Sequence, residues 1–349
     1  MKSLKGKIIW TAVFVCLVAL TIFAVTNQSS SFTVDGFVGF VKKIKWYWLV
    51  LSFLAMFGFA FFEGMAIRTL CRMFGYKKSV KRNVVYASAD VYFSAITPSA
   101  SGGQPASALF MIGDGIPTTV TTIVLLINLT LYALSIIAVA FICFIFGHGQ
   151  MAQFDGWSLT LIIFGCVIQV VLVGVFLMLV YKEKIVMKIA DFVVRILSKF
   201  HLMKRGEKWK TRLEKAEERY KECAQAILQN KRYVSQAFIY NFLQRASMML
   251  VTVFVFAGYY GRYSELGKVF ITQGYIVIGS NTVPIPGAVG VADYLFIDGF
   301  SSAVAEPTNF ELLSRGISFY GSVVVCGLIT LGAYVVKGYR EMRRKKNEK

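Results

Sequence analysis

Long apolar runs, separated by short polar loops, dominate the 349-residue chain. A helix needs about 20 apolar residues to cross the hydrocarbon core of a bilayer, and several runs come close to or exceed that length. The first run follows three lysines but lacks a small-residue cleavage pattern, so it is interpreted as a retained span rather than a signal peptide. The runs that predict full spans are 8–25, 46–66, 118–146, 159–181, 233–259 and 317–336.

Two further apolar runs, 84–112 and 270–300, are interrupted by polar, glycine-rich centres. Each is too short for two full spans, which need about 40 residues. Non-helical backbone at membrane depth is tolerated where it is buried in protein or lines a cavity. The prolines of the chain fall within or beside these two centres: Pro98, Pro105, Pro117, Pro284, Pro286 and Pro307.

The distribution of basic loops predicts the topology, because lysine and arginine concentrate on the cytoplasmic side of a membrane. The loop 67–83, the hydrophilic stretch 182–232 and the tail 337–349 are basic, whereas 147–158 and 301–313 contain neither lysine nor arginine. Each interrupted run then starts and ends on one side, the first inside and the second outside. Both are therefore predicted to be re-entrant helical hairpins. Three lysines just before the second span violate this scheme.

The predicted fold is an all-α polytopic membrane protein with about six full spans plus two re-entrant helical hairpins in an inverted-repeat arrangement. Residues 1–349 are expected to form a single integral membrane domain, with half one at 46–146 and half two at 233–336. The insert 182–232 between them begins with an apolar stripe and a basic face, a pattern typical of a helix on an anionic membrane surface. After half two comes the basic tail 337–349. The expected location is a bacterial inner membrane, crossed several times, with both termini in the cytoplasm.

Composition supports this class. The chain is 56% hydrophobic and 16% charged, and a soluble domain of this size cannot bury so much apolar surface. The net charge of +19 is assigned to the cytoplasmic bias and to attraction to anionic headgroups, not to nucleic acid, because no nucleic-acid motif accompanies it. The cysteines form no C-x-x-C pair and histidines are scarce, so neither a metal nor another cofactor is predicted.

The two interrupted centres, TPSASGGQP at 97–105 and PIPGAVGVAD at 284–293, resemble the lysylphosphatidylglycerol synthase transmembrane family, the flippase-like region of the multiple peptide resistance factor. The resemblance covers roughly residues 8 to 340. Two positions depart from the family pattern: Ala288 stands where a second glycine is frequent, and Asp293 stands where glutamate is frequent. The resemblance implies lipid translocation. Because no soluble aminoacyl-transferase domain follows in this chain, it argues against lipid lysylation.

Charged residues within apolar runs are candidates for the site, since such residues usually face a cavity or one another. Arg245 is a candidate for a bidentate contact with a lipid phosphate, or for a structural ion pair with an acid. Asp90 and Asp293 are candidates for carrying protons or for capping half-helices. Glu63 is expected to snorkel, or to pair with Arg68, near the inner end of its span.

Polar side chains of the two centres offer hydrogen bonds to a lipid headgroup, or else satisfy the broken backbone itself. Half-helix N-termini that point inward would favour an anionic group between them. Asn128, isolated in an apolar span, predicts an interhelical hydrogen bond. The predicted substrate-binding residues, with no catalytic residue or metal ligand among them, are Asp90, Thr97, Ser99, Ser101, Gly102, Gly103, Gln104, Arg245, Asn281, Thr282, Pro284, Pro286, Gly287, Gly290 and Asp293.

These features predict a lipid translocase, a flippase or scramblase for an anionic phospholipid or a polyprenyl-phosphate lipid, rather than an enzyme. Rocking of the two halves would give alternating access. The predicted partners are membrane lipids and no nucleic acid, while a second copy of the chain or an envelope-biosynthesis protein stays open. Two other classes are a scaffold that recruits a partner through 182–232 and an intramembrane lipid-modifying enzyme. An ion channel would need rings of pore-lining charge, which the sequence does not show.

Overall fold

A computed structural model describes residues 33–97, 100–181, 225–283, 285, 288 and 290–347, with the side chains of 176–181 and 337–347 excepted. Throughout this described part the regular structure is helical, without β-strands. The predicted span 8–25 and most of the insert 182–232 lie outside the described residues.

Twelve α-helices, one 3-10 turn and one π-helical segment follow one another along the described residues. The α-helices are α1 (Val34–Lys43), α2 (Trp46–Met73), α3 (Val80–Ile96), α4 (Gly103–Gly113), α5 (Thr118–Phe146), α6 (His148–Met151), α7 (Gly156–Tyr181), α8 (Lys231–Tyr260), α9 (Leu266–Ser280), α10 (Val291–Ser301), α11 (Pro307–Arg315) and α12 (Ser322–Asn347). A 3-10 turn, Tyr263–Glu265, precedes α9, and a π-helical segment, Gly316–Gly321, joins α11 to α12.

Within the described residues, five helical segments are long and apolar enough to cross a membrane. They are α2, α5, the part Gly156–Val175 of α7, α8, and the continuous stretch Pro307–Val336. The prediction of an all-α, multi-pass membrane protein is therefore confirmed.

The last span differs from its prediction at both ends. Its helix starts at Pro307 rather than at residue 317, because proline is well suited to the first helical turn. The segment 301–313 is therefore partly helical and not an external loop throughout. At the other end, α12 continues to Asn347, so the helix runs on through the basic tail instead of stopping near residue 336.

The interrupted runs fold into two helical hairpins: α3 with α4, called the first hairpin, and α9 with α10, called the second hairpin. The second helices, α4 and α10, have 11 residues each, which at 1.5 Å per residue gives about 16 Å. Such a helix covers only about half of a 30 Å hydrocarbon core. The hairpin helices accordingly do not figure among the candidate spans of the described chain.

Polar contacts fix the ends of both hairpins. Asp114, just after α4, accepts a hydrogen bond from Tyr86 Oη of α3 at 2.6 Å and pairs with Arg82 at 3.3 Å. Asp155, before α7, accepts a hydrogen bond from Tyr294 Oη of α10. A second hydrogen bond joins the same two segments: the Asp155 N–H donates to Asp298 Oδ2 of α10 at 2.9 Å.

Packing between helices is reciprocal. Helix α2 packs along α8. The first helix of the first hairpin, α3, packs on the later span α12, and the first helix of the second hairpin, α9, packs on the earlier span α5. Helix α7 also packs on α9. The apolar core near the second hairpin contains an aromatic cluster of fully buried side chains: Phe256, Phe296, Phe300 and Phe310. This packing leaves a polar space between the hairpins.

Candidate functional site

A cavity of about 700 Å³ lies between the two hairpins and is bounded by spans α2, α5, α7, α8 and the start of the last span. Half of its lining residues are polar or charged. The polar and charged lining residues are Glu63, Asp90, Ser94, Ser101, Gln104, Asn128, Tyr132, Gln169, Gln244, Arg245, Gln273, Ser280, Asn281, Thr282, Arg315, Ser318 and Ser322.

Arg245, on α8, presents a buried cation to this cavity. It is 8% exposed, and its guanidinium carbon lies 4.1 Å from the ring centroid of Tyr132 and 5.5 Å from that of Phe59. Tyr132 Oη donates to Asn281 Oδ1 at 2.9 Å, which ties the aromatic platform to the second hairpin. Among the described residues, no carboxylate forms an ion pair with Arg245, and its Nε has no hydrogen-bond partner.

Two acids lie on the side of the cavity formed by α2 and α3. Glu63 and Asp90 are 6% and 7% exposed. Glu63 Oε2 accepts a hydrogen bond from Gln244 Nε2 at 3.0 Å. Asp90 accepts from Ser94 Oγ at 3.0 Å and from Gln104 Nε2 at 2.8 Å, so it links the two helices of the first hairpin. The expected Glu63–Arg68 pairing is wrong: Glu63 is buried and faces α8, where Gln244 binds its carboxyl group.

The turn of the first hairpin is held by close backbone contacts. Thr97 Oγ1 donates to the Phe93 carbonyl at 2.6 Å and accepts from the Gly102 N–H at 2.9 Å. A Cβ on Gly103 would come within 2.1 Å of Asp90 Oδ1 and 2.7 Å of the Asp90 carbonyl oxygen. Glycine at this position therefore lets the start of α4 press against Asp90.

A second charged cluster lies behind the opposite wall. Arg315 Nε is 2.8 Å from Asp293 Oδ1 and 3.5 Å from Glu311 Oε1. Asp293 Oδ2 also accepts the Gly290 N–H at 2.8 Å and so caps the start of α10. Arg315 lines the cavity, whereas Asp293 and Glu311 do not. Asp293 thus acts on the cavity through Arg315 and through α10.

Several buried polar atoms of the lining residues lack a hydrogen-bond partner within the described structure. Examples besides Arg245 Nε are Gln244 Oε1, Gln273 Oε1 and Thr282 Oγ1. Buried donors and acceptors left unpaired cost free energy. A polar occupant of the cavity would remove that cost. The helix starts at α4 and α10 border the same space through Ser101 and Ala292, and their positive dipole ends favour an anion there.

One wall of the cavity reaches the membrane-facing surface. Leu129 of α5 and Leu172 of α7 line the cavity and are nevertheless 49% and 54% exposed. Ile285, in the second hairpin turn, also lines the cavity and is 42% exposed. Within the described residues the polar space is therefore bordered by an apolar rim rather than closed off from the lipid side.

The structure brings together only part of the predicted site. Asp90, Ser101, Gln104, Arg245, Asn281 and Thr282 line the cavity. Thr97, Gly102 and Gly103 shape the first turn, while Gly290 and Asp293 form the cap of α10. Ser99, Pro284, Pro286 and Gly287 lie outside the described residues.

Sequence reasoning missed Glu311 and Arg315, because 301–313 was expected to lie outside the membrane and the last span was expected to begin only at residue 317. It also missed Tyr132 and Gln244, which look like ordinary residues of apolar spans. The interhelical hydrogen bond predicted for Asn128 is confirmed: Asn241 Nδ2 donates to Asn128 Oδ1 at 3.1 Å. Arg315 could have been recognised as a candidate because it is a charged residue within the apolar 30-residue segment Pro307–Val336.

Fold and cavity together define a class: a helical, multi-pass membrane protein with a charged cavity between two hairpins. The chain belongs to the lysylphosphatidylglycerol synthase TM region family, whose profile matches residues 8–326. A protein named UPF0104 membrane protein, from Archaeoglobus fulgidus, is 23% identical over 275 residues, covering 77% of this chain and 80% of the relative. No solved structure gives a significant match. The family expected from the two interrupted centres is confirmed.

Proposed function

We propose that the protein is a lipid translocase whose cavity holds the anionic headgroup of a phospholipid or polyprenyl-phosphate lipid. The observation that carries this proposal is Arg245, a buried cation that faces the cavity without an ion pair among the described carboxylates. A guanidinium offers a planar set of N–H donors that matches a phosphate. Burial of such a group within a span is costly, so a charged residue at that depth typically marks a functional site.

The apolar rim supports a lipid over a small soluble anion. A headgroup in the cavity could keep its acyl chains beside Leu129 and Leu172, which face both the cavity and the surrounding bilayer. Lipid tails would then never leave an apolar environment, and only the polar headgroup would need the protein. This arrangement lowers the main barrier to lipid exchange, which is the transfer of a charged headgroup into hydrocarbon.

The order of elements supports an inverted-repeat transporter. In each half a long helix is followed by a hairpin of two shorter helices and then by another long helix. Interrupted segments in corresponding positions of two halves are typical of transporter binding sites. The proposal places the two hairpins as re-entrant elements from opposite faces, the termini in the cytoplasm and the protein in the plasma membrane.

Leaflet exchange in liposomes tests the proposal. Fluorescent phosphatidylglycerol, phosphatidylcholine and a polyprenyl phosphate would each be followed by quenching of the label in the outer leaflet. We expect the protein to accelerate exchange of an anionic lipid over protein-free vesicles. Arg245→Ala should abolish this exchange, and Arg245→Lys should retain only part of it, because an ammonium group cannot make the bidentate contact.

Arg82→Ala is the matched control, since Arg82 is a partly exposed arginine remote from the cavity lining and its partner Asp114 keeps the hydrogen bond from Tyr86. This variant should exchange lipid like the parent protein. Absence of exchange for every lipid by folded protein, with and without a proton gradient, would overturn the proposal and favour a scaffold or an enzyme. If Arg245→Ala exchanges the three lipids as fast as the parent protein does, the role of the arginine is overturned.

A further inference from the structure

Three glutamines in the cavity wall use their amide nitrogens for contacts within the protein. Gln244 Nε2 donates to Glu63 Oε2 at 3.0 Å, and Gln104 Nε2 donates to Asp90 Oδ2 at 2.8 Å. Gln169 Nε2 donates to a backbone carbonyl of α5 at 3.3 Å. Because the acceptor of an amide side chain is its oxygen, each of these contacts leaves the amide oxygen for a donor from elsewhere.

Two amide oxygens in the wall are buried and lack a donor. Gln244 is 2% exposed, and within the described structure no hydrogen bond reaches its Oε1. The Oε1 of Gln273, on α9, is likewise buried and unpaired among the described residues. Leaving a buried acceptor unpaired costs free energy, so both atoms point to a ligand that brings hydrogen-bond donors.

The two acids of the cavity wall accept hydrogen bonds from neutral groups. Glu63 is bonded by an amide, and Asp90 by an amide and by the hydroxyl of Ser94. Over the described part of the chain, neither acid forms an ion pair with a cation. A carboxylate has two oxygens with about four sites for donors. The acids can therefore accept more donors than the protein supplies.

A phosphate alone cannot serve this wall, because an ionised phosphodiester carries acceptors and no donor. A phosphate in the cavity would pair with the guanidinium of Arg245 and leave the amide and carboxylate oxygens as they are. The rest of the headgroup has to supply the missing donors.

These acceptors begin close to the phosphate site. The ring of Phe59 lies 5.5 Å from the guanidinium carbon of Arg245, and Phe59 precedes Glu63 on α2 by four positions, which is about 6 Å of helix. Gln244 directly precedes Arg245 on α8. A group attached to a phosphate at Arg245 can therefore reach this wall.

The volume of the cavity fits a headgroup larger than phosphate. About 700 Å³ corresponds to roughly twenty water molecules at about 30 Å³ each. A bare phosphate fills a small part of this space, whereas a phosphate joined to a sugar or another polyol fills much more of it.

We infer that the lipid headgroup held in this cavity is a phosphodiester of a sugar or another polyol. The inference rests on the proposed function and names its substrate class. The phosphate lies against Arg245. Hydroxyl groups of the polyol donate to the amide oxygens of Gln244 and Gln273 and to the carboxylates of Glu63 and Asp90. These contacts do not involve the lipid anchor, which is either diacylglycerol or a polyprenol.

Hydroxyl groups fit the wall better than an ammonium group does. The unpaired buried atoms include the Thr282 hydroxyl as well as the two amide oxygens. A ligand hydroxyl can accept from Thr282 and donate to an amide oxygen, whereas an ammonium group only donates. Neutral amide and hydroxyl side chains also outnumber charged side chains in the lining.

Binding of matched short-chain lipids to the full chain in detergent tests the inference. Phosphatidylinositol and phosphatidylmethanol have the same phosphodiester charge, but only the inositol brings hydroxyl donors. We expect calorimetry to give an affinity about tenfold higher for phosphatidylinositol, from a few additional hydrogen bonds. Phosphatidylethanolamine, which has an ammonium group instead of hydroxyls, should bind more weakly than phosphatidylinositol. A polyprenyl hexosyl phosphate and a polyprenyl methyl phosphate repeat the comparison on the other anchor.

Gln273→Met tests one of the two amide oxygens. Among the described residues the Gln273 amide makes no hydrogen bond that the substitution would break. We expect the ratio of the affinities for phosphatidylinositol and phosphatidylmethanol to fall about threefold, as for the loss of one hydrogen bond. A purely structural defect would weaken both lipids alike and leave this ratio unchanged. Gln236→Met is the matched control, because Gln236 is exposed on α8 and does not line the cavity. It should keep the ratio of the parent protein.

Equal affinities of the parent protein for the hydroxylated and the methylated lipid on both anchors would overturn the inference and leave translocation of anionic lipid standing. Tighter binding of phosphatidylethanolamine than of phosphatidylinositol would overturn it in favour of an ammonium-bearing headgroup. A preference for the hydroxylated lipid on either anchor would support it. If that preference is found but no labelled lipid exchanges between leaflets, the headgroup site stands and the proposed translocase is overturned. These comparisons use the parent protein, so they decide the question even if a variant does not fold.

Discussion

Ala100 and Ala288 occupy the same place in the two hairpin turns. Both have left-handed backbone, with φ of 52° and 50°, and each precedes the first residue of the following helix, Gly103 or Val291, by three positions. Left-handed backbone is unfavourable for alanine, by roughly 1–2 kcal/mol per residue. Two turns of different sequence therefore share one strained conformation.

Gly290→Ala tests the left-handed backbone of the second turn. Gly290 has φ of 85°, and a Cβ there would meet no atom within 4 Å, so the substitution changes backbone strain and little else. We expect it to lower the free energy of unfolding by about 1–2 kcal/mol. The opposite change, Ala288→Gly, should raise it by up to about 1 kcal/mol, because glycine relieves the strain. Thermal unfolding in detergent measures both, and a neutral Gly290→Ala would contradict the assigned turn.

Gly103→Ala tests the contact between α4 and Asp90. The new Cβ would come within 2.0 Å of Ser94 Oγ and 2.7 Å of the Asp90 carbonyl oxygen, so the first hairpin must open. We expect a loss of about 1–3 kcal/mol in stability, as for other overpacked sites, together with weaker binding of anionic lipid. Gly332→Ala on α12 is the control, because no atom lies within 4 Å of its added Cβ. Equal stability of the two variants would argue against this close contact.

Arg315→Gln tests the buried ion pairs with Asp293 and Glu311. Removal of one partner from a buried pair costs about 3–5 kcal/mol, since a buried charge is left without compensation. The double variant Arg315→Gln with Asp293→Asn should lose less than the sum of the two single losses, with a coupling of about 0.5–3 kcal/mol. Chemical or thermal unfolding of the three variants gives this coupling directly. Strict additivity would contradict the pairing seen in the structure.

Tyr259→Phe tests a pH-dependent contact beside the membrane. Glu306, in the loop before α11, accepts from Tyr259 Oη at 2.6 Å and from Asn309 Nδ2 at 2.7 Å, and the bond from Tyr259 is the main cause that lowers the pKa of Glu306. A lowered folded-state pKa stabilises the protein above the unfolded pKa, and this contribution is lost as the pH falls through the folded pKa.

We therefore expect Tyr259→Phe to be less stable than the parent near neutral pH by about 1–2 kcal/mol. The difference should shrink below about pH 4, where glutamate becomes protonated. Unfolding curves recorded from pH 3 to pH 8 measure it. Tyr263→Phe is the matched control, because Tyr263 is 53% exposed and its ring, which the substitution keeps, stacks on Trp48. A difference between Tyr259→Phe and the parent that stays constant with pH would contradict the assignment.

Sequence alone predicted the two hairpins because topology leaves few alternatives for a run that is apolar, broken and too short for two spans. It also identified Arg245 and Asp90, since a charge inside an apolar span is easy to recognise. It could not establish that these residues face one cavity. That fact depends on α2 packing along α8 and on the platform formed by Tyr132, which are long-range contacts without a local pattern.

The errors have a common physical cause. Segment 301–313 was placed outside because it contains no basic residue, but Arg315, just after it, pairs with its acid Glu311 from the next turn of the same helix. Glu63 was assigned to the membrane boundary because it lies near the inner end of the predicted span 46–66. Its partner in the structure, Gln244, is 181 positions away in the sequence. Contacts between polar residues that are distant in the sequence lower the cost of burying a charge. A hydropathy pattern does not reveal such contacts.

The reciprocal packing of the hairpins has a mechanical consequence. The second hairpin is locked to α5 of the other half, where a Cβ on Gly274 would come within 2.4 Å of Cys143 Sγ, and to α7, where one on Gly165 would come within 2.2 Å of the Ile278 carbonyl oxygen. Interfaces this tight slide poorly, because an interior packed to crystal density resists small displacements. A hinge between half one and half two would have to break them. A rigid body that keeps these contacts is therefore a composite of helices from both halves.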